Sequence, residues 1–105
     1  MKINIESVHF TADQKLIAYV NEKVEKLMTY FDQINGAEVT LKLDKASDSE
    51  NKVTEIKLLV KGHDMFAKRS AKSFEESCEE VCDALKTQII KHKEKTQAKH
   101  TSVEE

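Results

Sequence analysis

The sequence predicts one α+β domain with its elements in the order β-α-β-β-β-α. Short stretches in which apolar and polar residues alternate predict strands with one buried face. Two longer stretches with apolar residues three and four apart predict amphipathic helices. A chain of 105 residues can close one modest hydrophobic core. We therefore expect two layers, a four-stranded sheet with both helices packed on one of its faces.

The N-terminal third is predicted to contain a short strand and the first helix. Ile3 and Ile5 alternate with polar neighbours and indicate the strand. Thr11, followed three residues later by Gln14, matches the capping-box pattern that begins many helices. Apolar residues then recur at helical spacing and predict a helix over residues 12–31.

Three more strands are expected in the middle of the chain, after a break at Asn35-Gly36. Polar residues 45–52 predict a hairpin loop, and Gly62-His63-Asp64 predicts a tight turn. Because a helix connects the first strand to the second, these two strands should be parallel if they are adjacent, whereas the other connections are hairpins. The three strands are predicted at residues 37–43, 55–60 and 65–71.

A second amphipathic helix is predicted over residues 74–95. Ser73 and Glu76 form a second capping box at its start. We expect residues 1–95 to form the domain and residues 96–105 to form a short, polar, disordered tail. The apolar stripe of the helix comprises Phe74, Cys78, Val81, Leu85 and Ile89.

Composition excludes several classes of protein. With 39% apolar and 34% charged residues, the chain is too apolar for a disordered acidic protein and too charged for a membrane protein. No signal peptide is visible, and two cysteines are too few for a disulfide scaffold, so we expect a cytoplasmic protein. The sequence has no glycine-rich phosphate loop and no hydrolase or metalloprotease motif. We therefore expect no enzymatic activity, no small-molecule substrate and no cofactor.

The two cysteines, Cys78 and Cys82, lie one helical turn apart, and we interpret them as core residues. A zinc site would need further ligands brought close to them. Only His63 and His92 are candidates for that role, and we expect no metal.

Basic residues are concentrated near the C-terminus. Residues 1–85 contain 12 Lys or Arg and 16 Asp or Glu, a net charge of −4. Residues 86–100 contain five Lys and one Glu, a net charge of +4. A mildly acidic protein therefore carries a basic arm, and this local distribution is compatible with nucleic-acid binding.

One edge of the first predicted helix combines lysines with tyrosines. It carries Tyr19, Lys23, Lys26 and Tyr30, with Lys15 further round. Lysines at such an edge can contact phosphates while tyrosines pack against sugars or bases. The structural alternative is that the lysine stems and the tyrosine rings merely cover the edge of the core.

The second helix begins with acidic residues and ends with basic ones, the arrangement that the helix dipole favours. Lys86 and Lys93 lie on one flank, Lys91 and Lys95 lie on the other, and His92 continues the apolar stripe. So many lysines exceed what one helix end needs. The basic end is therefore either a solvated face or a surface for RNA phosphates.

Four segments together resemble the ribosome hibernation-promoting factors, also called ribosome-associated inhibitors or YfiA-like proteins. The resemblance covers residues 1–95, and the family fold is β-α-β-β-β-α with both helices on one sheet face, similar to double-stranded-RNA-binding domains. Longer members carry a second domain, so this chain resembles a short member. The segments are VHFTADQKL at 8–16, KLMTYFD at 26–32, VTLKL at 39–43 and ALKTQIIKHKEK at 84–95.

The resemblance implies a cytoplasmic, non-enzymatic inhibitor of translation that we expect to be monomeric off the ribosome. Family members bind the small ribosomal subunit between head and body. They occupy the decoding region, where they block messenger RNA and the A- and P-site transfer RNAs. By position, the side chains expected to contact ribosomal RNA are Lys23, Lys26, Lys86, Lys91, His92, Lys93 and Lys95.

The chain departs from the family pattern on the second helix. Many members begin this helix with Asp-Met-Tyr and then Ala, where this chain has Ser73-Phe74-Glu75 and then Ser77. Many also have an arginine at the position of Thr87, for which Lys86 is an imperfect substitute because lysine lacks the bidentate fork. The acidic first turns must face away from RNA if RNA binds here. Two alternatives stay open: a generic RNA-binding module, and a protein–protein adaptor whose acidic turns contact a partner.

Overall fold

The predicted order of elements is confirmed. The structure is a computed structural model that describes residues 2–45 and 50–104, with side chains described as far as residue 94. The elements are β1 (Lys2–Val8), α1 (Gln14–Met28), β2 (Ile34–Leu43), β3 (Lys52–Val60), β4 (Met65–Ala71) and α2 (Phe74–Glu104).

The four strands form one sheet in the order β1-β2-β3-β4. β1 and β2 are parallel, and β2–β3 and β3–β4 are antiparallel, as predicted. Buried residues of both helices and of one face of the sheet form a single core, which confirms the two-layer arrangement. One row of that face shows the packing, since its paired residues are Ile5, Val39, Ile56 and Ala67.

The first helix is shorter than predicted, because a different residue caps it. The carboxylate of Asp13 accepts the backbone N–H of Leu16 at 2.8 Å, so the helix begins at Gln14 and Thr11 is not its cap. At the other end, the N–H groups of Thr29 and Tyr30 bond to carbonyls three residues earlier. These tight turns end the helix before the predicted limit at residue 31.

The prediction that Asn35-Gly36 breaks the chain is wrong. Both residues lie inside β2, where the pairing with β3 shifts register between Ile34 and Gly36. A Cβ atom at Gly36 would lie 2.9 Å from the carbonyl oxygen of Lys2 on β1. Glycine is therefore needed here for the close approach of a neighbouring strand.

The two hairpin connections have the predicted positions. Between β2 and β3, the N–H of Asp44 donates to the carbonyl of Asn51 at 2.8 Å, and residues 46–49 of the predicted loop lie outside the described residues. Between β3 and β4, Gly62 has φ +82° and the N–H of His63 donates to the carbonyl of Val60 at 3.0 Å. Glycine adopts this left-handed conformation without steric cost.

The second helix has the predicted start and a different end. The hydroxyl of Ser73 accepts the N–H of Glu76 at 3.1 Å, which confirms Ser73 as the cap. The backbone stays helical to Glu104, beyond the predicted end at residue 95. The division into a domain of residues 1–95 and a disordered tail of residues 96–105 stays a prediction.

A buried pair of hydroxyl groups links α2 to the sheet. Thr54 on β3 and Ser77 on α2 are both fully buried, and their oxygens lie 2.6 Å apart. The hydroxyl of Ser77 donates to the carbonyl of Phe74 at 3.2 Å, so the shared hydrogen comes from Thr54. Each buried hydroxyl thereby has a partner.

We expect Asp13→Ala to lower the free energy of unfolding by about 1 kcal/mol, because the first turn of α1 loses its side-chain acceptor. Thr11→Ala removes the hydroxyl that the sequence pattern favoured, and it should change stability by less than about 0.5 kcal/mol. Urea unfolding followed by circular dichroism measures both. Equal losses for the two variants would contradict the assignment of the cap.

We expect Ser77→Ala to cost about 1–3 kcal/mol, because it leaves the buried hydroxyl of Thr54 without an acceptor. Thr54→Val should cost less, since Ser77 keeps its bond to the carbonyl of Phe74. The double variant should lose less than the sum of the two, and urea unfolding of all four proteins tests this. Additive losses would show that the two hydroxyls do not interact.

Candidate nucleic-acid interface

A groove runs between α1 and α2 on the helical side of the molecule. Its volume is about 180 Å³. Both helices contribute lysines to it, so residues far apart in the sequence form one surface. The residues that line this inter-helix groove are Lys23, Lys26, Leu27, Tyr30, Glu79, Cys82, Asp83 and Lys86.

Tyr30 connects the two helices at one end of the groove. The Nζ of Lys86 lies 4.9 Å from the centre of the Tyr30 ring, and the Nζ of Lys93 donates to the Tyr30 carbonyl at 3.1 Å. On α1, the Nζ of Lys23 lies 5.5 Å from the ring of Tyr19. Such contacts between a lysine and a ring are attractive but weak where water reaches them. We call Lys23, Lys26, Lys86 and Lys93 the lysine cluster.

The rotation of α2 explains why these particular lysines meet α1. Cys78, Val81, Leu85 and Ile89 are all fully buried against the sheet and α1. With this stripe fixed, residues at positions 82, 86, 90 and 93 lie on the flank beside α1. The contacts that Lys86 and Lys93 make with Tyr30 agree with that placement.

The remaining predicted RNA-binding residues lie elsewhere. Lys91 is exposed on the other flank of α2, next to Gln88, whose amide donates to the carbonyl of Phe66 on β4 at 2.9 Å. His92 is half-buried, with its ring 5.4 Å from Phe31. The side chain of Lys95 lies outside the described residues. The lysine cluster therefore unites four of the seven predicted positions.

Two carboxylates share the groove with the lysines. From the sequence we expected the acidic first turns of α2 to face away from RNA, if RNA binds at this surface. Glu79 and Asp83 do not meet this expectation, because both line the groove. Spacing already puts Glu79, Asp83 and Lys86 on one flank of α2, but only the structure shows that this flank faces α1. A phosphate that enters the groove would pass these two groups.

Cys82 also opens into the groove, whereas Cys78 is fully buried beneath it. A hydrogen bond from the Cys78 thiol lowers the pKa of Cys82, and Lys23 lowers it further. Burial, Asp83 and Glu79 oppose this shift in the pKa of Cys82. The same hydrogen bond, together with burial, raises the pKa of Cys78. Burial likewise raises the pKa of Tyr19.

His63 and His92 meet each other rather than the cysteines. Their rings stack with centres 5.8 Å apart, where the turn before β4 contacts α2. His92 follows Cys82 by ten residues, or about 15 Å along a helix. Within residues 2–45 and 50–94, no three His, Cys, Asp or Glu side chains are grouped so that they could hold a metal ion.

The opposite face of the sheet has a different electrostatic character near β1 and β2. A depression there is lined by Asn4, Glu6, Glu38 and Thr40, with Ile5 and Val39 beneath. Its two carboxylates would repel phosphates, so the inter-helix groove is the better candidate for a nucleic-acid surface. The helices in the described part of the chain are too short or too polar to cross a membrane.

Comparison with known proteins places this geometry in a family. Residues 3–97 match the profile of the family described as sigma 54 modulation protein / S30EA ribosomal protein. The chain is 32% identical over 98 residues to the ribosome hibernation promoting factor of Pseudomonas putida, an alignment that covers 93% of this chain and 92% of the relative. It is 30% identical over 95 residues to the factor of the same name from Escherichia coli, covering 90% and 96%.

Solved structures have the same fold. A ribosomal subunit interface protein from Coxiella burnetii superposes with a TM-score of 0.79 at 16% identity, covering 89% of this chain and 98% of that one. The N-terminal domain of Protein Y from Thermus thermophilus gives 0.71 at 21% identity, covering 85% and 96%. The chain belongs to the S30EA ribosomal protein family, whose relatives include the ribosome hibernation promoting factors.

Proposed function

We propose that this protein is a ribosome hibernation factor that binds the small ribosomal subunit and stops translation by occupancy. In this proposal the folded domain lies in the decoding region and excludes messenger RNA and the A- and P-site transfer RNAs. No bond is made or broken, so the protein acts without catalysis. It works in the cytoplasm and is a monomer until it meets the ribosome.

The lysine cluster is the observation that carries the proposal. Four ammonium groups from two helices lie around the groove and Tyr30, a residue that is 38% exposed. Ribosomal RNA offers phosphates at close spacing, and each phosphate that a lysine neutralises releases counterions into solution. The relatives from Pseudomonas putida and Escherichia coli are named ribosome hibernation promoting factors, which supports the same function.

Within the proposed contact, the residues have different roles. Lys26, Lys86 and Lys93 are exposed and would contact phosphates directly. Lys23 is half-buried against Tyr19, so it acts nearer the floor of the groove. Lys91 is exposed on the outer flank and would make a weaker contact with RNA there. Lys95 remains a candidate by its position in the sequence alone. His92 would act mainly by holding α2 against Phe31, because its ring packs there.

We expect the double variant Lys86→Gln/Lys93→Gln to bind purified small ribosomal subunits more weakly, because two phosphate contacts are lost. Its salt slope, the change in log affinity per log salt concentration, should fall by about 1.4–1.8, at roughly 0.7–0.9 for each contact. Co-sedimentation through sucrose gradients at several salt concentrations measures both. Lys91→Gln should have a smaller effect than either substitution in the cluster.

Lys57→Gln/Lys68→Gln is the matched control. These lysines lie on the opposite sheet face, in exposed ion pairs with Asp64 at 3.7 Å and Glu55 at 3.8 Å. The control removes the same charge, should keep the salt slope, and should lose no more than about 1 kcal/mol of stability per pair. Equal weakening by both double variants would show that only net charge matters, and the proposed contact surface would then be wrong.

Two results would overturn the proposal itself. Equal affinity for ribosomal subunits and for free RNA hairpins would indicate a generic RNA-binding module. Salt-insensitive binding, or no affinity for RNA, would favour a protein–protein adaptor. In that reading, Glu79 and Asp83 would be the groups that meet the partner.

A further inference from the structure

The two cysteines of α2 form a polarised pair at the floor of the inter-helix groove. Cys78 has no exposed surface and lies one helical turn before Cys82. Cys82 is half-buried and lines the groove, so a reagent that enters can reach its sulfur alone. Burial thus leaves one thiol of the pair accessible and hides the other.

The surroundings of Cys82 favour its thiolate. The thiol of Cys78 donates to it, and the ammonium of Lys23 acts across the groove from α1. Both lower the pKa of Cys82, against the opposing effects of burial, Asp83 and Glu79. The thiolate is the nucleophilic form of cysteine, and partly exposed thiols near cations are the ones that react.

The groove also selects the charge of what enters. Lys23, Lys26 and Lys86 line it beside Cys82, and the two carboxylates offset only part of their charge. A small molecule that carries carboxylates is therefore attracted to the surface that surrounds the sulfur. A cationic molecule of the same size is less favoured there.

We propose that Cys82 is a modification site at which small anionic disulfides, of which oxidised glutathione is one, exchange with the protein thiol. Three observations support this site: the groove itself, the lysines that line it, and the exposure of Cys82 to solvent where Cys78 is buried.

The step is a thiol–disulfide exchange that balances without another reagent. Cys82 gives up its proton to solvent, and its sulfur attacks one sulfur of the small disulfide. A new S–S bond forms to the protein as the old S–S bond breaks. The displaced thiolate leaves with the electron pair and takes up a proton from water. Cys82 is thereby oxidised to a mixed disulfide, one half of the small disulfide is reduced, and excess small thiol reverses the step.

Cys78 is poorly placed to displace the adduct. It lies one helical turn away on the same helix, a spacing with poor geometry for a disulfide. We therefore expect the mixed disulfide to persist until an external thiol removes it.

The adduct would place an anionic group within the lysine cluster. This consequence rests on the proposed function, because it matters only if the cluster binds ribosomal RNA. The added carboxylates would neutralise lysines and fill the space that a phosphate needs. Oxidation by a small disulfide would then weaken ribosome binding, and reduction would restore it.

The first experiment uses no ribosomes. The full chain is incubated with oxidised glutathione or with cystamine, a cationic disulfide, and the adducts are followed by intact mass spectrometry. We expect one adduct on the wild type and on Cys78→Ser, and none on Cys82→Ser. For each disulfide, the rate with the folded chain is divided by the rate with the urea-unfolded chain. This ratio should be several-fold higher for oxidised glutathione than for cystamine. Lys23→Gln/Lys86→Gln should remove this preference, whereas Lys57→Gln/Lys68→Gln should keep it.

The outcomes decide the site directly. An adduct on Cys78, no adduct on the folded wild type, or a preference for cystamine would overturn the proposal. A preference for oxidised glutathione that survives the loss of Lys23 and Lys86 would overturn the role of the groove. The pH at which the rate reaches half its maximum should be lower for the folded chain than for the unfolded chain.

The second experiment tests the consequence for the ribosome. Wild-type protein carrying the adduct should co-sediment less with small subunits than the same sample after treatment with dithiothreitol. Cys82→Ser should behave identically before and after exposure to oxidised glutathione. If unmodified protein does not bind ribosomes, the proposed function fails while the thiol result stands. If the adduct forms and binding is unchanged, the regulatory consequence is overturned and the proposed function stands.

Discussion

Burial of one stripe of α2 determines which charged side chains meet α1. Cys78, Val81, Leu85 and Ile89 are fully buried, and complete burial of an aliphatic side chain contributes about 1.5–3 kcal/mol. A surface contact such as that of Lys86 with Tyr30 contributes about 1 kcal/mol or less. The core therefore fixes the rotation of the helix, and the positions of the charged groups follow from it. The cluster is a consequence of packing and does not hold the fold together.

The same rotation brings Glu79 and Asp83 into the groove, and this has a use in the free protein. Lys23, Lys26 and Lys86 would otherwise repel one another across a narrow space. The two carboxylates offset part of that repulsion in the absence of RNA. The opposing cost arises on binding, when a phosphate must approach past them. Lysine stems are longer than those of aspartate and glutamate, so the ammonium groups can reach a phosphate while the carboxylates stay further away.

The helical spacing and the strand-like alternation of apolar residues predicted the order of elements and the topology of the sheet, because these depend on which face each segment buries. They misplaced some local boundaries. The capping-box pattern pointed to Thr11, whereas the carboxylate of Asp13 accepts the N–H of Leu16 in the first turn. Glycine is common where strands and helices end, so a break was predicted at Gly36. The residue instead lies within β2, where the carbonyl of Lys2 is too close for a side chain.

The sequence predicted only part of the candidate site. Positions on one helix flank follow from spacing, so Lys86 and Lys93 were grouped correctly and separated from Lys91. Contacts between elements do not follow from spacing, because they depend on how two elements that are distant in the sequence pack together. The approach of Lys86 to Tyr30 and the stacking of His63 on His92 are of this kind. Ser77, where the resemblance implies alanine, likewise has its explanation in Thr54 across the core.

The resemblance noted in the sequence implies an arginine at one position of α2, and that position bears on which flank would contact RNA. Here it is Thr87, whose hydroxyl donates to the carbonyl of Asp83 at 3.1 Å and so is engaged within the helix. At about 100° per residue, Thr87 and Lys91 share the outer side of α2, away from Lys86 and Lys93. The chain therefore lacks this implied cation on the outer side, whereas Lys86 and Lys93 are present on the groove side. In the proposed complex the attraction to phosphate is therefore concentrated on the groove flank, which is also where Cys82 lies.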